Sequence, residues 1–578
     1  MSSKHQSLGL LDLAQFRLGS AVLLSALAGA GSAYAKDHDF KTLPGDLLLS
    51  RTVYDNNAAN VTVGQQLPPN CTNGNCVPAQ NNGAFPQIFN NAPTDGSFGI
   101  TSKILLDEMT LSGATIKTFE IPNNTTPGVT PNSDQMVTSF SSKSELALNL
   151  SLDGQHVTFM GYLAPVDALD VSNSNTPAVI DPTNPVPNAY YRVVADLDLE
   201  GDLHFTSTNA YSGNNGRAAI LRPFLGSNLF YSAGNAGNGS NPQPNGVILG
   251  AGAQGLTEST APLPWQDPGL PTPVASFNIT ELGDTADKIG KDDNFRGMTV
   301  FNNVLYYTKG SGGNGVDTVY FVDTSGTSSA GAPLACPNGV GLPAPGAKLP
   351  NTPLSYNLST LQTNGLPNNI CVLKGFNTVI AKTSTNSFPF GLWFANATTV
   401  YVADEGDGTA TYDATTGRYT AAAASTTAGL QKWVFNAAAG QWQLAYTLQA
   451  GLELGVPYTV TGYPTGANSY TVYKSGKITT TTMPSWSPAT DGLRNLTGRV
   501  NRDGTVTIWA VTSTVSGSGD QGADPNKLVA ITDTLAATSL PANESFTTLR
   551  TAGFAEVLRG VSFTPGTEVS DRQNDWSH

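Results

Sequence analysis

Three segments of the chain, DNFRGM (293–298), DGLRNL (491–496) and EVLRGV (556–561), place an arginine three residues after an acid and just before Gly or Asn and an apolar residue. The arginines are Arg296, Arg494 and Arg559. SFPFGL (387–392) keeps the frame but carries Phe390 for the arginine and Ser387 for the acid, and NNGR (214–217) supplies Arg217 as a looser copy. KSEL (143–146) opens a further unit without the motif. Guanidinium groups repeated in this way have two chemistries open to them. They can form a ring that receives an anionic ligand through forked, charge-assisted hydrogen bonds. They can also act as braces, each pairing with its own acid at Asp293, Asp491 or Glu556. The joint loss of arginine and acid at Phe390 and Ser387 favours the brace.

A second cluster, DEGDG (404–408), sets Asp404, Glu405 and Asp407 around glycine. Carboxylate oxygens in a turn are the donors a hard cation such as Ca²⁺ takes, although the segment is not the twelve-residue EF-hand loop. Asp196, Asp198, Glu200 and Asp202 alternate with other residues, and Glu200-Gly201 is expected to turn the chain and divide them. Of five histidines only His156 and His204 lie in the body of the chain. Serine-hydrolase elbows, zinc-peptidase helices, phosphate-binding loops and c-type haem attachment sites have no matching motif. The four cysteines, Cys71, Cys76, Cys336 and Cys371, are expected to pair 71–76 and 336–371 as disulfides, since CTNGNC has no histidine nearby to complete a zinc site.

The elements that must position these residues are strands. Only 12% of the residues are charged, against about a quarter in ordinary domains, and the net charge is −14. Clustered Lys and Arg of the kind nucleic acid requires are missing. The 39% hydrophobic content allows a large core, while 60 Gly and 37 Pro mark a chain of many turns. Lys4, Arg17, the apolar run 18–31 and Ala33-Tyr34-Ala35 have the form of a secretory signal, cleaved after Ala35. The run is shorter than the roughly 20 residues of a membrane span. A periplasmic or extracellular location without a transmembrane anchor follows.

Beyond the signal, short apolar or alternating runs recur between Gly, Asn and Asp, as in GMTVFNNVLYYTKG and GLWFANATTVYVADEG. Many such strands without helices call for radial repetition of small sheets. The fold expected is an all-β propeller of four-stranded blades, opening at Glu145, Arg217, Arg296, Phe390, Arg494 and Arg559. Six blades are favoured, with seven kept open because a degenerate unit could hide in 451–490. Segment 556–565 is read as the innermost strand of a blade whose other strands come from 46–54, 103–111 and 114–121. That arrangement closes the ring and removes free edges. The propeller spans 36–566, with a polar tail at 567–578.

In such a blade the connections alternate between two faces. Short bends at 152–155, 302–303, 395–398 and 501–504 gather on one face. The long connections 55–99, 123–142, 164–188, 404–428, 451–490 and 514–525 gather on the other. The excursion 326–370 is an exception on the trim face. Long loops on a rigid scaffold are where recognition usually resides. Tyr and Trp in the strands, including Trp393, Trp433, Trp442 and Trp509, are assigned mainly to the core between blades.

Val400-Tyr-Val-Ala-Asp404-Glu-Gly resembles the strand of NHL-type and related six-bladed β-propellers. Some relatives of the gluconolactonase and paraoxonase type are calcium-dependent hydrolases with axial Asn, Asp and Glu ligands, and only Asp404 and Glu405 match that pattern here. Three functional readings result. The leading one is an exported binding or interaction module taking a small-molecule, glycan or protein ligand on its loop-rich face. The second is a calcium-dependent hydrolase or lyase with axial carboxylates, and the third a passive envelope or matrix component.

Overall fold

A computed structural model of the protein describes residues 40–60, 66–67, 77–78, 99–131, 133–182, 184, 186–223, 228–235, 252–259, 273–279, 293–313, 315–322, 338–349, 368–383, 387–474, 477–518 and 521–568. Cys71, Cys76 and Cys336, like residues 1–35 expected to form a signal, lie outside them.

Six antiparallel blades of four strands surround one axis. Written from the axis outward, the first is Asn149–Leu150, His156–Tyr162, Arg192–Asp198 and Leu203–Thr208. The second is Gly216–Arg222, Leu229–Gly234, Ala253–Thr257 and Pro273–Ile279, and the third Gly297–Phe301, Val304–Lys309, Thr318–Val322 and Asn368–Leu373. Pro389–Asn396, Thr399–Asp404, Gly429–Asn436 and Gln441–Leu448 make the fourth; Ala489–Val500, Thr505–Val515, Lys527–Thr534 and Thr547–Thr551 make the fifth. Successive innermost strands are neighbours all the way round, and Glu556–Phe563 lies beside Asn149–Leu150. Among the described residues the only α-helix is Thr420–Ala424, and no helix is long and apolar enough to cross a membrane.

The sixth blade is assembled from both ends of the chain, as expected. Glu556–Phe563 pairs with Leu47–Val53, which pairs with Thr101–Met109 and then Thr115–Glu120. A buried ion network pins this seam. Arg51 Nε donates to Asp107 Oδ2 at 2.7 Å and its Nη1 to Glu556 Oε1 at 2.6 Å, while Arg550 Nη1 reaches Asp107 Oδ2 at 2.6 Å. The segment 451–490 contains a two-stranded hairpin, Asn468–Lys474 with Lys477–Met483, and no seventh blade. One feature has no sequence counterpart: the outer strands of blades two and three pair in parallel, at Asn278 with Asn368.

The cores lie between blades. Phe301, Phe394 and Trp442 fill the space between the third and fourth, and Trp509 with Phe563 that between the fifth and sixth. Trp433 packs against the first of these from a partly buried position, and Trp393 against the cluster between the fourth and fifth blades. Short bends do gather on one face. Asn302 and Asn303 both take left-handed φ values, 47° and 62°, as a two-residue hairpin turn matched to strand twist requires. The acidic run divides as expected, with Gly201 at φ 89° between Arg192–Asp198 and Leu203–Thr208.

The repeated position after the arginine has a packing cause. A Cβ on Gly391 would sit 2.6 Å from the Arg494 carbonyl oxygen of the next blade. Gly297 stands in the same relation to Phe390, and Gly560 to Leu146. At Asn495 the side chain takes up the contact, its Nδ2 donating to the Arg559 carbonyl at 2.8 Å. At these positions backbone meets backbone around the axis, and at Asn495 the side chain bonds the facing oxygen. This belt divides the axis into two compartments.

Candidate functional site

Innermost strands enter from the loop-rich face, so the belt motif delivers its arginines to the axial mouth on that side. Arg217, Arg296, Arg494 and Arg559 are all buried, at 4%, 4%, 3% and 2% exposure. Arg217 Nη1 donates to Asn294 Oδ1 at 2.5 Å and to the Phe295 carbonyl at 2.6 Å, bridging to the next blade. Arg494 Nε donates to Glu405 Oε2 at 3.2 Å, in the preceding blade. Arg559 Nη2 bonds the carbonyls of Phe140 and Gly522, the latter at 2.9 Å. Among the described residues Arg296 bonds only hydroxyls, Nη1 to Ser144 Oγ at 2.5 Å and Nη2 to Ser311 Oγ.

The brace expected within each motif is therefore corrected for Arg494 and Arg559. Asp491 accepts the Gly408 N–H at 2.9 Å, and Glu556 pairs with Arg51. Strand geometry explains this, because residues three apart on an extended strand face opposite sides. The bracing partner comes from another blade instead.

Lys143 supplies the contact that sequence reasoning missed. Its Nζ lies 3.1 Å from Glu405 Oε1, joining the first blade to the fourth across the axis. Burial pushes the Glu405 carboxyl up, but the charges of Lys143, Arg494 and Arg296 more than offset this and hold it below its ordinary value. The signal was present in the frame: KSEL occupies the entry position in the first blade that the arginine motif holds in others. Glu145 beside it is fully buried and accepts Thr138 Oγ1 at 2.6 Å, the Ser139 N–H at 3.0 Å and the Tyr162 hydroxyl.

Asp404, Glu405 and Asp407 do not converge. Asp404 accepts the Phe388 and Gly406 N–H groups at 2.9 and 3.0 Å and Gln431 Nε2 at 3.1 Å. Glu405 is held by its two cations, and Asp407 is exposed, accepting the Thr409 N–H at 2.8 Å. Among the described residues no three His, Cys, Asp or Glu side chains form a group that could hold a metal ion. Asp404 and Asp491 are instead buried acids. Burial, with the charges of neighbouring carboxylates, pushes them up to about 6 and about 7 against backbone hydrogen bonds that lower them.

His156 lies 3.1 Å from Asp196; burial lowers its pKa, but Asp196 outweighs this and raises it. His204 is exposed near Asp198. Both lie by the short bend 199–202 or 151–155, away from the mouth. Cys371 sits inside the outer strand Asn368–Leu373, and its expected partner Cys336 lies outside the described residues.

Between the first three blades at the mouth lies a cavity of about 80 Å³. Its walls hold three cations, Lys143, Arg217 and Arg296; all the other lining residues are serine or asparagine, and no carboxylate is among them. Arg296 forms no salt bridge among the described residues, and its buried Nε has no hydrogen-bond partner. A buried guanidinium without a carboxylate is costly, by several kcal/mol before compensation. Glu405 and Asp317 compensate it only at longer range.

No family model and no curated protein matches the chain. Among solved structures it is similar to a variant of a Synechocystis apocarotenoid oxygenase, at 10% identity over 80% of this chain and 72% of that one, with a TM-score of 0.21. The Bombyx mori GH32 beta-fructofuranosidase BmSUC1 follows at 9% identity, 73% and 88% coverage and a TM-score of 0.22. A PL25 ulvan lyase gives 10% identity, 89% and 96% coverage and a TM-score of 0.21. Likenesses this distant carry no argument about activity.

Proposed function

We propose that the protein is an exported binding propeller that takes an anionic group of its ligand into the mouth cavity, between Arg296, Arg217 and Lys143. The observation that carries this reading is the composition of that cavity: three cations, only Ser and Asn besides, and a buried Arg296 with no carboxylate beside it. About 80 Å³ exceeds the roughly 30 Å³ share of one water and suits a compact anion or the acidic substituent of a larger molecule. Arg494, Arg559 and Glu405 are the frame, since their hydrogen bonds tie neighbouring blades together. The NHL-like strand, which ends at Asp404, fits a six-bladed scaffold of this kind. Its calcium-dependent hydrolase counterpart finds less support, because Asp404 and Glu405 spend their oxygens on backbone N–H groups and cations.

The test is calorimetric titration with sulfate and with phosphate at constant ionic strength, on the wild type and on Arg296→Gln. Sulfate or phosphate should bind the wild type, and the variant should lose about tenfold or more in affinity while melting normally. Wild-type protein that binds neither anion, or equal affinity in the variant, would overturn the reading.

A further inference from the structure

The other compartment of the axis has a different chemistry. Below the belt, toward the short bends, a cavity of about 180 Å³ is bounded by the innermost strands of all six blades. The only ionisable side chains on its lining are Arg499 and Glu568, and both are exposed. Its walls combine Met298, Leu392, Trp393 and Phe563 with amides and hydroxyls such as Asn149, Asn303 and Thr497. We infer that this cavity is a second binding site, independent of the anion site, for a small neutral molecule with one ring and a hydroxyl or carbonyl group.

Three observations support the class of ligand. A charged molecule would find only the exposed, water-screened Arg499 and Glu568 as counter-charges and would lose its hydration with little repayment, so the occupant is neutral. A dry cavity of about 150 Å³ accommodates benzene, and the slightly larger space here leaves room for one polar substituent. Asn149 lines the cavity and its Nδ2 is buried with no hydrogen-bond partner among the described residues, a donor that an oxygen of the ligand would satisfy after a small side-chain adjustment.

The wall is also built around an aromatic ring. A Cβ on Gly498 would lie 2.7 Å from Cε3 of Trp393, so glycine at this strand position leaves the space the indole occupies. Gly498 has no left-handed φ to explain it; the ring of the neighbouring blade does. An indole that lines a cavity gives a cyclic ligand a face to lie on.

Phenol and cyclohexanol serve as probes, with benzoate as the charged control, followed by saturation-transfer NMR and by thermal melting. Wild-type protein should bind phenol or cyclohexanol at millimolar concentration and benzoate at least about tenfold more weakly. Val300→Phe and Leu496→Phe each fill the cavity from a different blade, so a folding defect in one leaves the other informative. Each folded variant should lose the probe signal and keep the sulfate response of the mouth. Absence of any neutral-probe signal in the wild type, binding that survives both substitutions, or benzoate bound as well as phenol would each overturn the inference. Loss of the sulfate response alone bears on the mouth and leaves this site standing.

Discussion

Asp107→Asn tests what holds the ring closed. Asp107 is fully buried in the third strand of the sixth blade and accepts Arg51 Nε, Arg550 Nη1 and Thr118 Oγ1 at 2.6–2.7 Å. Arg51 belongs to the N-terminal strand and Arg550 to the last strand of the fifth blade, and Arg51 also meets Glu556 in the C-terminal strand. The amide keeps the volume but removes the charge that both guanidinium groups face. Breaking a buried pair in this way costs about 3–5 kcal/mol. With Arg51 and Arg550 at 12% and 20% exposure, water recovers part of that, so about 3 kcal/mol is expected. Burial raises the Asp107 pKa, but the hydrogen bonds from Arg51 and Thr118 and the charges of Arg51 and Arg550 lower it further, to a net value below 3.8. Its contribution is therefore full above pH about 4 and lost as pH falls through the depressed value. Urea unfolding at pH 7 should show the full deficit in the variant, and at pH about 3 a smaller one. Limited proteolysis at pH 7 should release the N-terminal strands sooner. A variant within 1 kcal/mol of wild type at neutral pH, or a deficit that stays constant into acid, would refute the reasoning.

Two further outcomes follow from the axis. Gly391→Ala should lower the urea midpoint by the equivalent of about 1–3 kcal/mol, because its Cβ would meet the Arg494 carbonyl, whereas Gly313→Ala, which meets nothing within 4 Å, should be neutral; equal behaviour of the two would remove the belt. Asp491 holds its proton in the fold up to about pH 7 but releases it near 3.8 when unfolded, so wild-type stability should fall as pH rises through that window. Asp491→Asn should flatten the fall and gain about 4 kcal/mol at pH 8, read from unfolding curves at pH 5 and 8; a parallel pH dependence in both proteins would exclude the assignment.

The ring and its closure were legible because they rest on local signals. Short alternating runs, Asn-Asn and Asp-Gly bends, and one strand left over at the carboxyl end suffice to place Glu556–Phe563 against Leu47–Val53. A hairpin in 468–483 carries the same alternation as a blade, so periodicity alone could not separate them. The arginine motif was legible as a repeat but not as a set of contacts. Its glycine answers to a carbonyl of the next blade, and Lys143 meets a glutamate 262 residues away. Acid and arginine three apart suggest a pair only if the chain is helical or turning; in Glu556–Phe563 the pleat sends them to opposite sides. Likewise DEGDG advertises its carboxylates, but the sequence does not reveal that Asp404 and Glu405 are already engaged by Phe388, Lys143 and Arg494.

The same belt accounts for two compartments of opposite character. Above it, each strand entry contributes a charged or hydroxyl side chain, and these can be buried only by pairing across blades. Five of the six entries compete for few carboxylates, and Arg296 is left with hydroxyls. Below it, the strands carry Leu, Met, Val and Trp toward the axis, with polar groups supplied by the turns. The chain as a whole bears a charge of −14, so long-range attraction does not draw an anion to the mouth. At physiological ionic strength that repulsion is screened beyond about 8 Å, while the guanidinium groups in the cavity act at hydrogen-bond distance, where salt screens them least. Selectivity for an anion must then come from the carboxylate-free pocket itself, which is why its composition outweighs the acidity of the surface.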